Sequence, residues 1–428
     1  MASSGKQPDS SAVEALNKTV DAAVRVIEAV LKLACDAYED AKTSKLAIAS
    51  ASGADALATL PAASSTPAAW EPPTELDAFA LARDAAMLIR AHGTKISLLI
   101  INEPFTPSAI GKVVKELDRV VLSLGTAAQQ CYGDRYTNHV RQEMARRCMG
   151  VLEKTRSLLH AIPRDGRVVP EAQRTGGVGT RSSSQQRSEG AAGRGSFTTI
   201  GILWAECDGL VAFCKGGVNG FLVQVVSQLA EQLKDEQEEL REWGDEEGEG
   251  SDEDSDESDD GDVSDSGYDD GEDALQGNDN DATQAMLDAL MNTRHIPPND
   301  PNGLRPRLET VIKKIQLLLL LCRAVIKRRL TKPALPTLPL PTQEGQVAAR
   351  LDGALVALQT TANLFEDLAN AFYKLDVAEV DTIMGQCFDG AVSVSRQLSR
   401  PFMPASGTSS DLFTAWADKF ESEIRVIA

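Results

Sequence analysis

The residues best suited to chemistry in this chain are its four histidines, His92, His139, His160 and His295. His139 has Glu143 one helical turn further on, and an imidazole and a carboxylate at this spacing could form half of a metal site. No second histidine lies four residues away, and the sequence has no His-Glu-x-x-His pattern. The spacing therefore favours a pair on a helix surface over a metal ligand set.

Two other patterns of catalytic sites are incomplete. The stretch from Gly176 to Thr180 looks like a phosphate-binding loop, but it lacks the Gly-Lys-Ser/Thr ending and low-complexity sequence flanks it. No serine lies in a Gly-x-Ser-x-Gly elbow. We therefore predict no catalytic residues, no bound cofactor, no metal and no enzyme activity.

The most unusual segment is DEEGEGSDEDSDESDDGDVSDSGYDDGED, residues 245–273. It contains 17 acidic residues and no lysine or arginine, so its charge of −17 leaves only −3 for the rest of a chain whose net charge is −20. Such a run cannot bury apolar surface, and it predicts a disordered acidic linker. The segment could be a spacer between two helical bodies, a decoy for basic partners, or a substrate for a kinase.

Three serines in this segment have the context of an acid-directed kinase of the casein-kinase type. Ser251, Ser255 and Ser258 are each followed directly by acidic residues. Each phosphate would add about −1.5 to −2 charges. We predict that these serines are phosphorylation sites and that an acid-directed kinase is a partner of this protein.

Long amphipathic helices account for most of the remaining sequence. Apolar residues recur at intervals of three and four, and no stretch alternates as a strand would. Thr74 is the expected N-cap of the second helix, Pro107 opens the third, and the stretch 215–220 breaks a later one. The predicted helices span about 12–46, 74–101, 106–130, 135–162, 198–243, 282–294, 304–330, 345–374, 377–399 and 411–427.

The predicted fold class is all-α, with two antiparallel helical bundles of long helices joined by the disordered acidic linker. The domains are an N-terminal bundle at 1–243, the acidic linker at 244–281 and a C-terminal bundle at 282–428. Disordered inserts are expected at about 47–73 and 163–196, where Ala, Ser, Pro, Gly and Arg predominate.

Cysteine usage and hydropathy predict a soluble intracellular protein. The seven cysteines are scattered and form no Cys-x-x-Cys pair. The longest purely apolar run, Leu317 to Cys322, is far shorter than the ~20 residues that span a bilayer. The basic run from Lys327 to Arg329 favours the last turn of a helix over a nuclear-import signal. Because that apolar run is short, no membrane binding is expected. No basic region precedes a helix pair, so no direct nucleic-acid binding is expected.

Three stretches resemble the cyclin-D-interacting protein family, GCIP. They are TKISLLIINEPFTPSAI (94–110), ILWAECDGL (202–210) with KDEQEEL (234–240), and ARLDGALVALQTTANLFEDLANAFYKLDVAEV (349–380). The family-like motif positions are Trp204, Cys207, Lys234, Asp235, Glu238 and Glu239.

This resemblance implies a non-enzymatic regulatory adaptor in cell-cycle and transcription control. Its partners would be cyclin-D-like proteins or helix-loop-helix transcription regulators, in both the nucleus and the cytoplasm. The alternative is a structural helical-bundle protein of the vinculin or α-catenin kind that binds cytoskeletal partners. A filament-binding protein should carry a basic patch on one bundle, and the sequence shows none outside the arginine-rich stretch 163–196.

Overall fold

The structure is a computed structural model that describes residues 10–51, 77–170, 196–245, 295–297, 299–331, 345–402 and 411–426. Of these residues 88% are helical and none lies in a strand, which confirms the all-α prediction. The helices are α1 (Ser10–Ala51), α2 (Ala78–Ile101), α3 (Pro107–Gln130), α4 (Gly133–Tyr136), α5 (Asn138–His160), α6 (Ser196–Asp245), α7 (Leu304–Val325), α8 (Gly345–Tyr373), α9 (Val377–Ser399) and α10 (Leu412–Val426). A π-helical turn, Ile326–Leu330, continues α7.

Local capping chemistry decides where the first two helices begin and end. Asp77 is the N-cap of α2, because its side chain accepts a hydrogen bond from the backbone N–H of Phe79 at 3.0 Å. The cap expected at Thr74 was therefore wrong, since the helix begins directly after Asp77. Helix α1 continues to Ala51, beyond the expected end at Leu46, because alanine has the highest helix propensity of all residues.

The structure places the break that was predicted at 215–220 at a single residue, Gly217. Gly217 has φ 66° and ψ −179°, and the residues on both sides of it are helical, so α6 is kinked there. This backbone conformation is essentially restricted to glycine. The third helix opens with Pro107 in its first turn, as predicted.

The described residues form two compact units. The first comprises those within Met1–Ser227, Ala324–Ala357 and Ser393–Ala417, and the second those within Gln228–Arg323, Leu358–Val392 and Asp418–Ala428. Helices α6 to α10 each contribute residues to both units. The structure does not describe residues 246–294, which contain all but the first two residues of the expected linker and the whole of the helix predicted near 282–294. The domain boundaries drawn from the sequence therefore stay a prediction.

In the first unit, the N-terminal helices surround an aliphatic core. Helix α1 packs against α3 and α5, and α2 packs against α3. The N-terminal part of α6 packs between α2 and α5, since a Cβ on Gly93 would lie 2.8 Å from Leu203 and 3.4 Å from Leu158. Helices α1 and α3 also approach closely, since a Cβ on Gly125 of α3 would lie 2.5 Å from Val30 of α1. Glycine thus permits close helix packing at both contacts.

In the second unit, the C-terminal part of α6 packs against α7 and α8. The Gln237 side-chain amide donates to the carbonyl of Ile312 at 2.7 Å, and the Trp243 and Tyr373 rings meet edge to face with centroids 5.4 Å apart. Helix α9 contacts α7 where the Nζ of Lys314 lies 3.4 Å from the centroid of the Phe388 ring. Lys314 is 4% exposed, and burial lowers its pKa.

Among the residues that the structure describes, one helix is long and apolar enough to cross a membrane by length and composition alone. This is Phe197–Asp245, whose most apolar window has a mean hydropathy of 1.4. A core helix of a soluble protein passes the same test, and one such helix is weak evidence. The prediction of no membrane binding therefore stays a prediction.

Candidate functional sites

Two of the family-like positions lie where α6 packs on α2 in the first unit. The indole N–H of Trp204 donates to the hydroxyl of Thr94 at 3.0 Å, and the Arg90 guanidinium lies 5.3 Å from the indole centroid. Arg90 also forms an ion pair with Asp208 at 3.1 Å. Cys207 is fully buried, and burial raises its pKa to about 12. A thiol with this pKa stays protonated at neutral pH, so Cys207 is suited to packing and not to nucleophilic attack.

The other four positions lie on the C-terminal part of α6, in the second unit. Lys234 pairs with Glu238 at 3.0 Å, and both side chains are more than half exposed, so this pair adds little stability. Asp235 is exposed. Glu239 accepts a hydrogen bond from the Tyr373 hydroxyl at 2.7 Å, which joins α6 to α8. Burial raises the pKa of Tyr373, and the hydrogen bond to Glu239 raises it further. The phenol therefore stays protonated and remains a hydrogen-bond donor.

The predicted phosphorylation sites Ser251, Ser255 and Ser258 lie outside the described residues. Their modification by an acid-directed kinase stays a prediction.

A site that the sequence did not indicate surrounds the fully buried Asp352 of α8. One carboxylate oxygen accepts from the backbone N–H of Asn138 at 2.6 Å and from its side-chain amide at 3.0 Å. The other oxygen accepts from the backbone N–H of His139 at 3.2 Å and lies 2.8 Å from His139 Nδ1. The carboxylate thus caps the N-terminus of α5, where N–H groups lack intrahelical partners and the helix dipole is positive.

The surroundings of Asp352 are polar and constrained. Thr137, directly before α5, is fully buried at φ 85°, and its hydroxyl accepts from the backbone N–H of Val140 at 3.3 Å. Lys45 of α1 donates to the Gln142 side chain at 2.8 Å. Burial lowers the pKa of Lys45, and the nearby Asp352 carboxylate opposes that effect. Helices α1, α5 and α8 therefore share one polar cluster in the first unit.

This cluster corrects the interpretation of His139. The sequence favoured a surface pair of His139 with Glu143, but His139 is only 9% exposed and faces Asp352. Glu143 instead forms ion pairs with Arg146 at 2.7 Å and Arg147 at 2.6 Å. Within the described residues, no group of three or more His, Cys, Asp or Glu side chains could hold a metal ion.

A second polar cluster lies at the π-helical turn that follows α7. The guanidinium of Arg329, which is 1% exposed, donates to both carboxylate oxygens of Asp411, at 2.6 and 2.9 Å. It also donates to the carbonyls of Leu398 (2.7 Å) and Ser399 (3.1 Å) at the end of α9. The hydrogen bond from Arg329 is the main reason that the pKa of Asp411 is lowered to about 2. Arg329 thus joins the π-helical turn to α9 and Asp411 as a buried residue, a role that its predicted place in the last turn of a helix did not indicate.

Several exposed or half-exposed cations surround Arg329. Arg328 Nη1 donates to the carbonyl of Leu412 at 2.7 Å. Arg350 Nη2 donates to the carbonyl of Arg400 at 2.5 Å, and its guanidinium lies 4.9 Å from the centroid of the Phe402 ring. We call Arg328, Arg350 and Arg400 the cationic cluster. Within the described residues, none of the three forms an ion pair with a carboxylate.

Helix α2 exposes an apolar stripe. Met87, Leu88 and Leu98 are 54%, 50% and 51% exposed, while the opposite side of the helix is buried in the bundle. The spacing of eleven residues between Met87 and Leu98 places these two side chains within about 20° of each other around the helix axis, and Leu88 lies about 80° from Leu98 on the same exposed side. We call these three residues the α2 stripe.

A family model of known proteins matches part of the chain. The family model described as Grap2 and cyclin-D-interacting, N-terminal, matches residues 82–246, which include most of α2 and all of α3, α5 and α6. No curated protein matches the chain. Over these residues the match supports the family resemblance that the sequence motifs indicated.

Proposed function

We propose that this chain, whose residues 82–246 belong to the Grap2 and cyclin-D-interacting family, is a non-enzymatic regulatory adaptor. Its partners would be a cyclin-D-like protein or a helix-loop-helix transcription regulator. It would act in cell-cycle or transcription control, in nucleus and cytoplasm. The support for protein interaction is the family match, and the choice of an adaptor role is our own inference.

The observation that carries the proposal is the α2 stripe, which lies inside the matched region. Long apolar side chains at helical spacing are the kind of surface that an amphipathic partner helix covers. Covering the exposed half of each side chain would contribute about 1 kcal/mol per residue, given that full burial of such a side chain contributes ~1.5–3 kcal/mol. Three such contacts can select a partner without making the complex permanent.

The absence of enzyme activity belongs to this proposal. Burial raises the pKa of Cys207 and Cys214 to about 12, and both thiols are thereby poor nucleophiles. The buried His139 is engaged by Asp352 in a contact that joins helices. These groups support the packing of the bundle.

The test is co-precipitation of the full chain with a purified D-type cyclin. The variant combines Leu88→Glu with Leu98→Glu, which places two charges on the α2 stripe. The matched control is Leu33→Glu, since Leu33 of α1 is 47% exposed and lies outside the matched region. We expect the stripe variant to bind at least tenfold more weakly and the control to bind normally. Equal binding by all three proteins would contradict the assignment of the α2 stripe.

A second candidate function is the filament-binding role of a structural bundle protein. The cationic cluster favours it, because it is a basic patch that the sequence alone did not reveal. Co-sedimentation with actin filaments tests this alternative directly. Binding that is lost in an Arg328→Gln, Arg400→Gln variant and kept in the α2-stripe variant would favour it over the adaptor role.

We further propose that an acid-directed kinase phosphorylates the acidic segment at Ser251, Ser255 and Ser258. The support is the run of acidic residues that follows each serine. Mass spectrometry of the chain purified from its own cells would detect the phosphates, and a casein-kinase-type enzyme should add them in vitro. Unmodified serines under both conditions would contradict this proposal.

A further inference from the structure

The cationic cluster is an unusual charge arrangement for an acidic protein. The chain has a net charge of −20, yet Arg350 and Arg400 lie at the end of α9, and Arg328 lies in the π-helical turn beside the Arg329 that binds the same end of α9. The nearby carboxylate of Asp411 is already engaged by the buried Arg329 through two hydrogen bonds. The cluster therefore keeps its positive charge within the described part of the chain.

The contacts of the cluster hold its arginines in place without neutralising them. Arg328 is fixed through Nη1 on the carbonyl of Leu412, and Arg350 through Nη2 on the carbonyls of Arg400 and Gln397. A carbonyl oxygen satisfies a donor but carries no full charge. A guanidinium has five N–H donors, so each of these arginines retains donors for a further partner.

Arg350 is partly buried and lies near two other cations. Burial, followed by the charges of Arg329 and Arg400, lowers its pKa. Its guanidinium lies over the Phe402 ring, which fixes the orientation of the planar group. A preoriented arginine beside other cations would bind a compact anion with several acceptor oxygens favourably, because the anion offsets the repulsion and accepts several hydrogen bonds.

We propose that the cationic cluster binds the phosphate group of a phosphoserine or phosphothreonine in a partner protein. A phosphate concentrates about −1.5 to −2 charges and three acceptor oxygens at one point, which suits guanidinium groups that have free donors and no carboxylate partner among the described side chains. Extended polyanions suit the cluster less well, because three arginines can neutralise only a few of the many charges that such a partner carries. A single phosphate responds mainly to charges within the Debye length of about 8 Å at physiological salt.

This site is separate from the α2 stripe, and it does not depend on cyclin binding. Arg328, Arg350 and Arg400 lie outside residues 82–246, the region that matches the family model. A loss of phosphopeptide binding and a loss of cyclin binding can therefore be observed in different variants.

The experiment is fluorescence anisotropy with the full chain, produced in bacteria. The probe is a short labelled peptide with one phosphoserine, and its unphosphorylated twin is the reference. The test variant is Arg328→Gln with Arg400→Gln. The matched control, Lys18→Gln with Arg146→Gln, removes two exposed charges elsewhere in the first unit.

We expect the phosphopeptide to bind at least tenfold more tightly than its twin. The test variant should lose at least tenfold in affinity, and the control should change less than twofold. Arg350→Lys keeps the charge but loses the planar fork, so it should also weaken binding several-fold. Inorganic phosphate at millimolar concentration should compete with the probe.

Three outcomes would overturn the proposal. The first is equal affinity for the phosphopeptide and its twin. The second is unchanged phosphopeptide binding in the Arg328→Gln, Arg400→Gln variant while circular dichroism shows the native helix content. The third is tighter binding of single-stranded DNA or of actin filaments than of the phosphopeptide through the same arginines, which would assign the cluster to a polyanion.

Discussion

Replacing Asp352 by asparagine tests the polar cluster at the N-terminus of α5. The substitution keeps the shape of the side chain but removes its charge. Four donor or ring-nitrogen contacts converge on the carboxylate: the backbone N–H and amide of Asn138, and the backbone N–H and Nδ1 of His139. The single oxygen of asparagine can accept from at most two of them, and its own NH₂ would face the others.

The expected cost follows from these contacts. Each buried donor that loses its acceptor costs about 1–3 kcal/mol, and loss of an anion from a helix N-terminus costs up to about 2 kcal/mol. Two donors would lose their acceptor, so we expect Asp352→Asn to destabilise the first unit by about 3–5 kcal/mol. Asp36→Asn is the matched control, because Asp36 is exposed on α1 and should change stability by less than about 0.5 kcal/mol.

The assay combines urea unfolding with hydrogen exchange. The chain has two units, so a single unfolding free energy is not assumed, and exchange at the amides of Asn138 and His139 provides a local measurement. In Asp352→Asn these amides should exchange at least tenfold faster than in the Asp36→Asn control. Unchanged protection together with an unchanged urea midpoint would refute the role assigned to Asp352.

Three further predictions follow from local geometry. Gly217→Ala should lower stability by about 1–3 kcal/mol because of its positive φ, whereas Gly216→Ala, also in open space but helical, should raise it by up to about 1 kcal/mol; equal thermal shifts would contradict this. The pKa of Asp411 is depressed to about 2 by Arg329, so its stabilising contribution is complete above its ordinary value of 3.8 and is lost as pH falls towards 2. The stability of the Asp411→Asn variant should therefore change less with pH in this range than that of the unmodified chain. Identical acid-unfolding curves for the two proteins would contradict the role of the Arg329–Asp411 pair. Cys35 is the one exposed thiol of seven, and burial raises the pKa of the other six. A thiol reagent at pH 8 should modify one equivalent rapidly, and several fast equivalents would disprove this burial pattern.

Helical periodicity was sufficient to predict most of the helices, because it depends on residues only three or four apart. Pro107 and the break near Gly217 were predictable for the same reason, since proline and glycine act through the local backbone. The contact of Asp352 with His139 was not, because 213 residues separate the two and nothing in either local sequence marks the other. Likewise, Arg328, Arg350 and Arg400 are ordinary helix-end cations in sequence and become a cluster only in the folded chain.

The same long-range contacts imply that residues 82–246 alone do not form a complete folding unit. Helix α1 packs against α3 and α5 and buries residues such as Val20 and Ile27, and Asp352 caps α5, yet both α1 and Asp352 lie outside that region. A fragment of residues 82–246 would therefore expose the core surfaces of α3 and α5 to water and leave the N–H groups at the start of α5 without their acceptor. We expect such a fragment to retain helical circular dichroism, to bind the dye ANS strongly and to lack a cooperative thermal transition, in contrast to the full chain. A fragment that melts cooperatively at the temperature of the first unit would show that α1 and Asp352 are dispensable for the family region.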